Sequence, residues 1–307
     1  KMELHGLLSL QLMMFVLMGA GFFLRKKEII TRAGRDVLTD LIIDLILPCN
    51  IIAAFQVSLS REILISGLQV LVVSLVLQVF CTGISSVCYR NVPKEKRMIL
   101  QYGTVCSNAG FLGNPVAEGL YGSLGLLYAS IYLIPQRIVM WSAGVSYFTE
   151  SPNRKEVIKK VLSHPCIIAV EIGIVLMVTQ LQLPEFLDKS IRSLGGCTTA
   201  ITMMFIGTVL ADAGFKHMVS KMTIVFAVIR LLLIPLAVLL GCLVFQVESV
   251  AAGVSVVLAA MPAGSTTAIL AAKYKGDEAF ATQCVVFTTI LSMAALPVWC
   301  LGINAVY

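Results

Sequence analysis

The 307-residue chain is 58% hydrophobic and only 13% charged, with a formal net charge of +6 and a mean hydropathy of +0.92. Soluble domains carry about a quarter charged residues, so this composition excludes an ordinary water-soluble globule. The nine cysteines form no CxxC and the three histidines lie outside the apolar runs, so a metal or haem site is not expected and no cofactor is called for.

Taken in order, the apolar runs give ten candidate spans: 6–24, 37–57, 63–89, 98–122, 123–148, 166–183, 194–211, 222–247, 250–272 and 280–306. The first is read as a membrane span and not a cleavable signal, because its basic cluster follows it and no small-x-small cleavage site is present. Between the fifth and sixth lies the longest polar stretch, TESPNRKEVIKKVLSHP, at 149–165. It divides the chain into a first five-span unit (1–148), a cytoplasmic linker (149–165) and a second five-span unit (166–307).

Basic residues orient these spans. Loops after spans 1, 3, 5, 7 and 9 hold 17 of the 23 Lys and Arg, including Arg25–Lys27, Lys94–Arg97, Arg154–Lys160, Lys216 and Lys275. The opposite side holds only Lys1, Arg61, Lys189 and Arg192. Cytoplasmic loops are the Lys/Arg-rich ones, so both termini are expected on the extracytoplasmic side of the cytoplasmic membrane. The +6 charge thus bears on topology and not on nucleic acid. An odd number of spans per half forces the halves into opposite orientations, the shape of an inverted-repeat transporter. Direct self-similarity is weak: a shift of 147 places Pro115 on Pro262 and little else agrees.

Span 4 carries SNAGFLGNPVAEGLYG (107–122) and span 9 carries AAMPAGSTTAILAAKY (259–274). Proline inside a helix loses a backbone donor and clashes with the preceding turn. In lipid, broken backbone survives only where protein or a wet cavity surrounds it. Two breaks at matching places mark a midplane binding site, with Gly113, Pro115, Pro262 and Gly264 as the crossover. Asn108 and Asn114, then Gln136 and Arg137 in span 5, Asn50 in span 2, and Ser265 and Thr266 in span 9 are the candidate substrate-binding residues. A guanidinium at mid-depth suits a carboxylate, although a structural pairing of Arg137 with Asp44 or Glu118 is equally open. Arg230 in span 8 has no polar companions in sequence and reads as structural.

Asp40 and Asp44 are four apart on one helix face, so one of them is a candidate proton carrier, and Glu118 is a second candidate for ion coupling or gating. Asp44 and Asp212 do not make an intramembrane aspartyl protease, since a GxGD signature is absent. HExxH, GxSxG and P-loop motifs are also missing, so an enzyme is not expected.

At Asn108, Gly113-Asn114-Pro115 and Tyr121-Gly122 in span 4, and over MPAGSTTAILAAKYKGDEAFATQCVVFTTILSMAALP (261–297), the chain resembles the auxin efflux carrier family, which includes plant auxin exporters and bacterial organic-acid permeases. The resemblance implies an all-α elevator-type carrier of ten helices, NhaA-like and bile-acid-sodium-symporter-like. Its helices 4 and 9 would be broken and crossing. Spans 1, 2, 6 and 7 would form a scaffold, often a homodimer interface, and spans 3–5 and 8–10 a moving transport domain. It also implies that Asn108 and Gln136 hold a substrate carboxylate. Two departures stand out: the plant proteins' long loop is reduced here to 149–165, and Glu118 stands where they tend to have a basic residue. Arg137 and Asn50 are not carried over from the family. The expected partners are therefore a small organic anion such as a mono- or dicarboxylate, H⁺ or Na⁺ as coupling ion, and the lipid bilayer. The alternatives are a sodium-coupled symporter of bile-acid-carrier type and a membrane ligand sensor that does not transport.

Overall fold

The computed structural model describes residues 4–142, 146–148, 154–212, 218–274 and 276–307. The first residues of the linker, 149–153, and Lys216 and Lys275 of the basic loops lie outside the described residues. Secondary structure among the described residues is helical, apart from one isolated antiparallel bridge between Ser107 and Ala263. Among the described residues, seven stretches are long and apolar enough to cross a membrane: Ser9–Lys26, Arg32–Ala54, Arg61–Cys88, Ala109–Met140, Glu185–Asp212, Lys221–Val244 and Glu278–Val306. Two shorter apolar helices, Pro165–Thr179 and Ser249–Ala259, complete the bundle.

Large apolar side chains coat the outside. Leu68, Val76 and Val79 on Arg61–Cys88 and Val175 and Val178 on Pro165–Thr179 are among those exposed. That is the surface a lipid solvent selects, since apolar side chains there need no burial. Ser249–Ala259 is the opposite case: every residue from Ala251 to Ala259 is buried. Its small and β-branched residues (AAGVSVVLA) fit a helix enclosed on all sides.

Three prolines share one local solution. Pro48, Pro115 and Pro235 each stand two residues after a five-residue π-helical turn: Ile42–Ile46, Ala109–Gly113 and Ile229–Leu233. A proline ring collides with the carbonyl four residues back and donates no bond to it. Widening the preceding turn to i→i+5 relieves that collision without ending the helix.

Spans 1 and 7 approach backbone to backbone. A Cβ on Gly207 would lie 2.0 Å from the Met18 carbonyl oxygen, and one on Gly21 would lie 2.0 Å from that of Met204. Only glycine at both positions permits this contact between Leu4–Lys26 and Thr198–Asp212. Spans 4 and 5 run as helix on either side of Gly122, whose φ of 63° and ψ of −152° reverse the chain. Span 7 starts earlier than expected: an amphipathic helix, Glu185–Gly196, precedes Thr198–Asp212 and carries the i,i+4 pairs Glu185–Lys189 and Asp188–Arg192. Those four charges make this helix polar, so the apolar part of the stretch comes after it.

Candidate functional site

Span 4 begins as the helix Lys94–Val105 and stops; span 9 begins as Ser249–Ala259 and stops. Where they stop, they cross. Asn108 N–H donates to the Pro262 carbonyl at 2.8 Å, and Gly264 N–H donates to the Cys106 carbonyl at 3.0 Å. Backbone groups freed by the two breaks thus satisfy each other. Side chains take up more: Gln136 Nε2 donates to the Ser107 carbonyl at 2.8 Å while Ser107 Oγ donates to Gln136 Oε1 at 2.9 Å. Ala263 N–H donates to Thr288 Oγ1 at 3.2 Å.

The span-9 break falls at Pro262 and Gly264, as their residue types demand. In span 4 the crossing falls at Cys106–Asn108, seven residues before Pro115 measured from Asn108, and this corrects the expectation that Gly113 and Pro115 form it. The reason is local. Pro115 follows the π-helical turn Ala109–Gly113, which runs into the helix from Asn114 without a break, Gly113 and Asn114 both having right-handed helical φ/ψ. Gly113 serves packing instead. A Cβ there would meet Leu258 Cδ2 at 2.5 Å, so the glycine lets span 4 press against span 9.

A cavity of about 110 Å³ lies against this crossing. Asn108, Gln136, Arg137, Gly264, Ser265 and Thr266 line it, together with Ser107, His164 and Cys166 and an apolar wall that includes Phe111 and Leu133. Its volume is on the order of three or four water molecules, enough for a small polar ligand. Arg137 is 6% exposed, and its Nη1 has no hydrogen-bond partner. No Asp or Glu is among the described lining residues. Three helices also start at the cavity: the turn beginning at Ala109, Thr266–Lys273 and Pro165–Thr179. Several of their first-turn N–H groups are already taken up, Cys166 by His164 Nδ1 and Thr267 by the Gly264 carbonyl, so these starts act on the cavity through the positive end of the helix dipole. A buried cation, three helix starts and no carboxylate among the described lining residues make the cavity electropositive.

The remaining candidates lie elsewhere. Asn50 Nδ2 donates to Glu118 Oε2 at 3.2 Å, joining span 2 to the second half of span 4 outside the cavity. Asn114 is fully buried with neither amide atom partnered, and it does not line the cavity. Asp44 and Asp40 are both exposed. Neither acid considered as Arg137's structural partner forms an ion pair with it. Asp212 instead receives Arg25 at 2.8 Å and Arg35 at 2.9 Å. Arg230 is 2% exposed with Nε unpartnered and is not in the cavity lining.

Ser107, His164 and Cys166 are lining residues that the sequence did not single out. Ser107 was adjacent to a chosen residue. His164 carried a usable signal, a His-Pro dipeptide at the start of an apolar helix, where a side-chain acceptor commonly caps.

Broken helices crossing inside an apolar bundle, with a polar cavity at the crossing, define a polytopic membrane transport protein. The chain belongs to the family described as Membrane transport protein, the auxin efflux carrier family, which matches residues 8–300. It is 25% identical over 296 residues to an uncharacterized transporter of Methanothermobacter thermautotrophicus, covering 94% of this chain and 95% of that one. It is 22% identical to an uncharacterized transporter of Methanocaldococcus jannaschii (94% and 96% covered). It is also 22% identical to the uncharacterized transporter YfdV of Escherichia coli (92% and 93% covered). The protein is a membrane transporter and not an enzyme.

Proposed function

We propose that the protein is a secondary carrier of a small organic anion, a mono- or dicarboxylate, which binds in the cavity beside the crossing. The observation that carries this reading is Arg137, a buried guanidinium with an unpartnered nitrogen at a cavity lined by no carboxylate among the described residues. A buried charge left unpaired is costly, and an incoming anion is the partner that removes the cost. Gln136 is held by Ser107, which keeps it and its neighbour Arg137 in register with the break.

In this reading the helices make ten spans in two inverted repeats, and the protein works as an elevator. Spans 3–5 and 8–10 carry the cavity past a scaffold of spans 1, 2, 6 and 7, with both termini outside. Met140, near the end of span 5, and His164, at the end of the linker, line the cavity, so in this reading it is the state open toward the cytoplasm. Asn50–Glu118 is then a link between scaffold and transport domain on the far side. A second copy would cover the stripe Ile168, Ile172, Val175 and Val178, where Glu171 is also exposed on the same helix face. A carboxylate in a lipid-facing stripe is expensive, and a homodimer interface shelters it.

Thermal denaturation of purified protein across a panel of short carboxylates, with and without Na⁺ and over a range of pH, tests this reading. Stabilisation by a carboxylate and none by its amide is the expected result, and Na⁺ dependence would assign the coupling ion. No stabilisation by any carboxylate would refute the anion site.

A further inference from the structure

His164 sits at the start of the helix Pro165–Thr179, and its Nδ1 accepts the backbone N–H of Cys166 at 3.2 Å. A backbone N–H can only donate, so Nδ1 must offer its lone pair there. In the neutral ring the proton is therefore on Nε2, and no hydrogen bond from Nε2 exists among the described residues. Burial, and secondarily the Arg137 guanidinium, hold the imidazole down at about 4, so the ring is neutral at physiological pH. The same ring lines the cavity with Arg137 and Gln136. Those two residues belong to span 5, whereas His164 stands at the end of the linker and caps the helix that follows it.

Resting on the anion reading above, we propose that His164 is a substrate-binding residue whose Nε2–H donates to an oxygen of the anion held by Arg137. The ligand is then clamped between span 5 and the start of the helix Pro165–Thr179. A neutral, fixed N–H donor selects by position: it rewards an oxygen in one place, whereas a second cation there would attract any anion. His164 has two roles in this account, as helix cap through Nδ1 and as ligand donor through Nε2. The clamp exists only while span 5 lies beside the start of Pro165–Thr179, so it belongs to the cytoplasm-facing state.

The two roles separate by mutation. His164→Asn keeps a good N-cap but is too short to reach the cavity. His164→Gln places an amide N–H₂ near the position of Nε2. Affinities of purified wild type and both variants are measured by calorimetry for acetate, malonate and succinate. The comparison uses whichever of the three binds wild type most tightly, alongside melting temperature without ligand. For H164N the expected result is an unchanged melting temperature with binding weakened about tenfold, the value of one hydrogen bond to a charged group. H164Q is expected to stay within about threefold of wild type by the same measure. Wild-type affinity in H164N, or a loss in H164Q as large as in H164N, would overturn the donor role while leaving the anion site intact. Failure of wild type to bind any of the three acids would overturn the anion reading and this inference together.

Discussion

Replacing Arg137 by Met is expected to make the unliganded protein more stable and at the same time blind to its ligand. The side chain is 6% exposed, Nη1 is unpartnered, and no acidic group forms an ion pair with it among the described residues. An unsatisfied buried donor costs about 1–3 kcal/mol, and more when charged. Methionine follows the same path with an apolar chain, and exchanges of buried ions for packed apolar groups are neutral to about 4 kcal/mol stabilising. A net gain of roughly 1–3 kcal/mol corresponds to a rise of about 2–10 °C in melting temperature. Against this, a guanidinium gripping a carboxylate through two charge-assisted bonds contributes about 3 kcal/mol, so ligand affinity should fall by more than about a hundredfold. Both arms are read in one thermal-shift experiment with and without carboxylate. The matched control is Arg230→Met, since Arg230 is equally buried, has an unpartnered Nε and lies outside the cavity lining. R230M should leave the ligand shift unchanged. A lower melting temperature in unliganded R137M would show that the guanidinium is structural, and a preserved ligand shift would place the site elsewhere.

Gly21→Ala and Gly207→Ala each drive a Cβ to 2.0 Å from a backbone oxygen and should each cost about 1–3 kcal/mol or more in denaturation measurements. Gly122→Ala meets no atom but must hold φ at 63°, costing about 1–3 kcal/mol, whereas Gly241→Ala, with open space and ordinary φ, should be neutral or slightly stabilising. Asn50→Leu leaves Glu118 without its donor and should destabilise by about 1 kcal/mol or more, while Glu118→Gln keeps an acceptor for Asn50 and should cost less. His164 titrates at about 4 when folded, against an ordinary value of 6.5, so the native state binds fewer protons than the unfolded chain between those limits. Stability from this group is constant above 6.5 and falls as pH drops toward 4, by about 1 kcal/mol at roughly pH 5 after discounting for partial exposure. H164N should lack that component, seen as a shallower acid limb in melting temperature against pH.

The long apolar helices were legible because lipid imposes the simplest of patterns, a long run without charge, and the break after Ser249–Ala259 was legible because Pro262 and Gly264 stand at it. Span 4 misled in an instructive way. Pro115 is the more conspicuous breaker, yet the helix stops at Cys106–Asn108, while the π-turn from Ala109 to Gly113 carries the following helix on through the proline. Pro48 and Pro235 are accommodated in the same way, whereas Pro135 and Pro297 lie within continuous helices. Hydropathy carries no trace of which solution a proline takes. Gln136 and Arg137 were identifiable as polar residues deep in an apolar run, and the cavity gathers them with Asn108. The Asn50–Glu118 hydrogen bond spans 68 residues of sequence, and nothing local announces it. Nor could the sequence show that Asp44 would face outward while Arg137 was left without an acid.

Counterflow in proteoliposomes tests the central claim most directly. Vesicles loaded with an unlabelled carboxylate that stabilises the protein should accumulate the same labelled acid transiently with wild type and fail to do so with R137M. Binding of that acid without any counterflow would contradict the carrier and leave a ligand sensor, and counterflow undiminished in R137M would contradict the site.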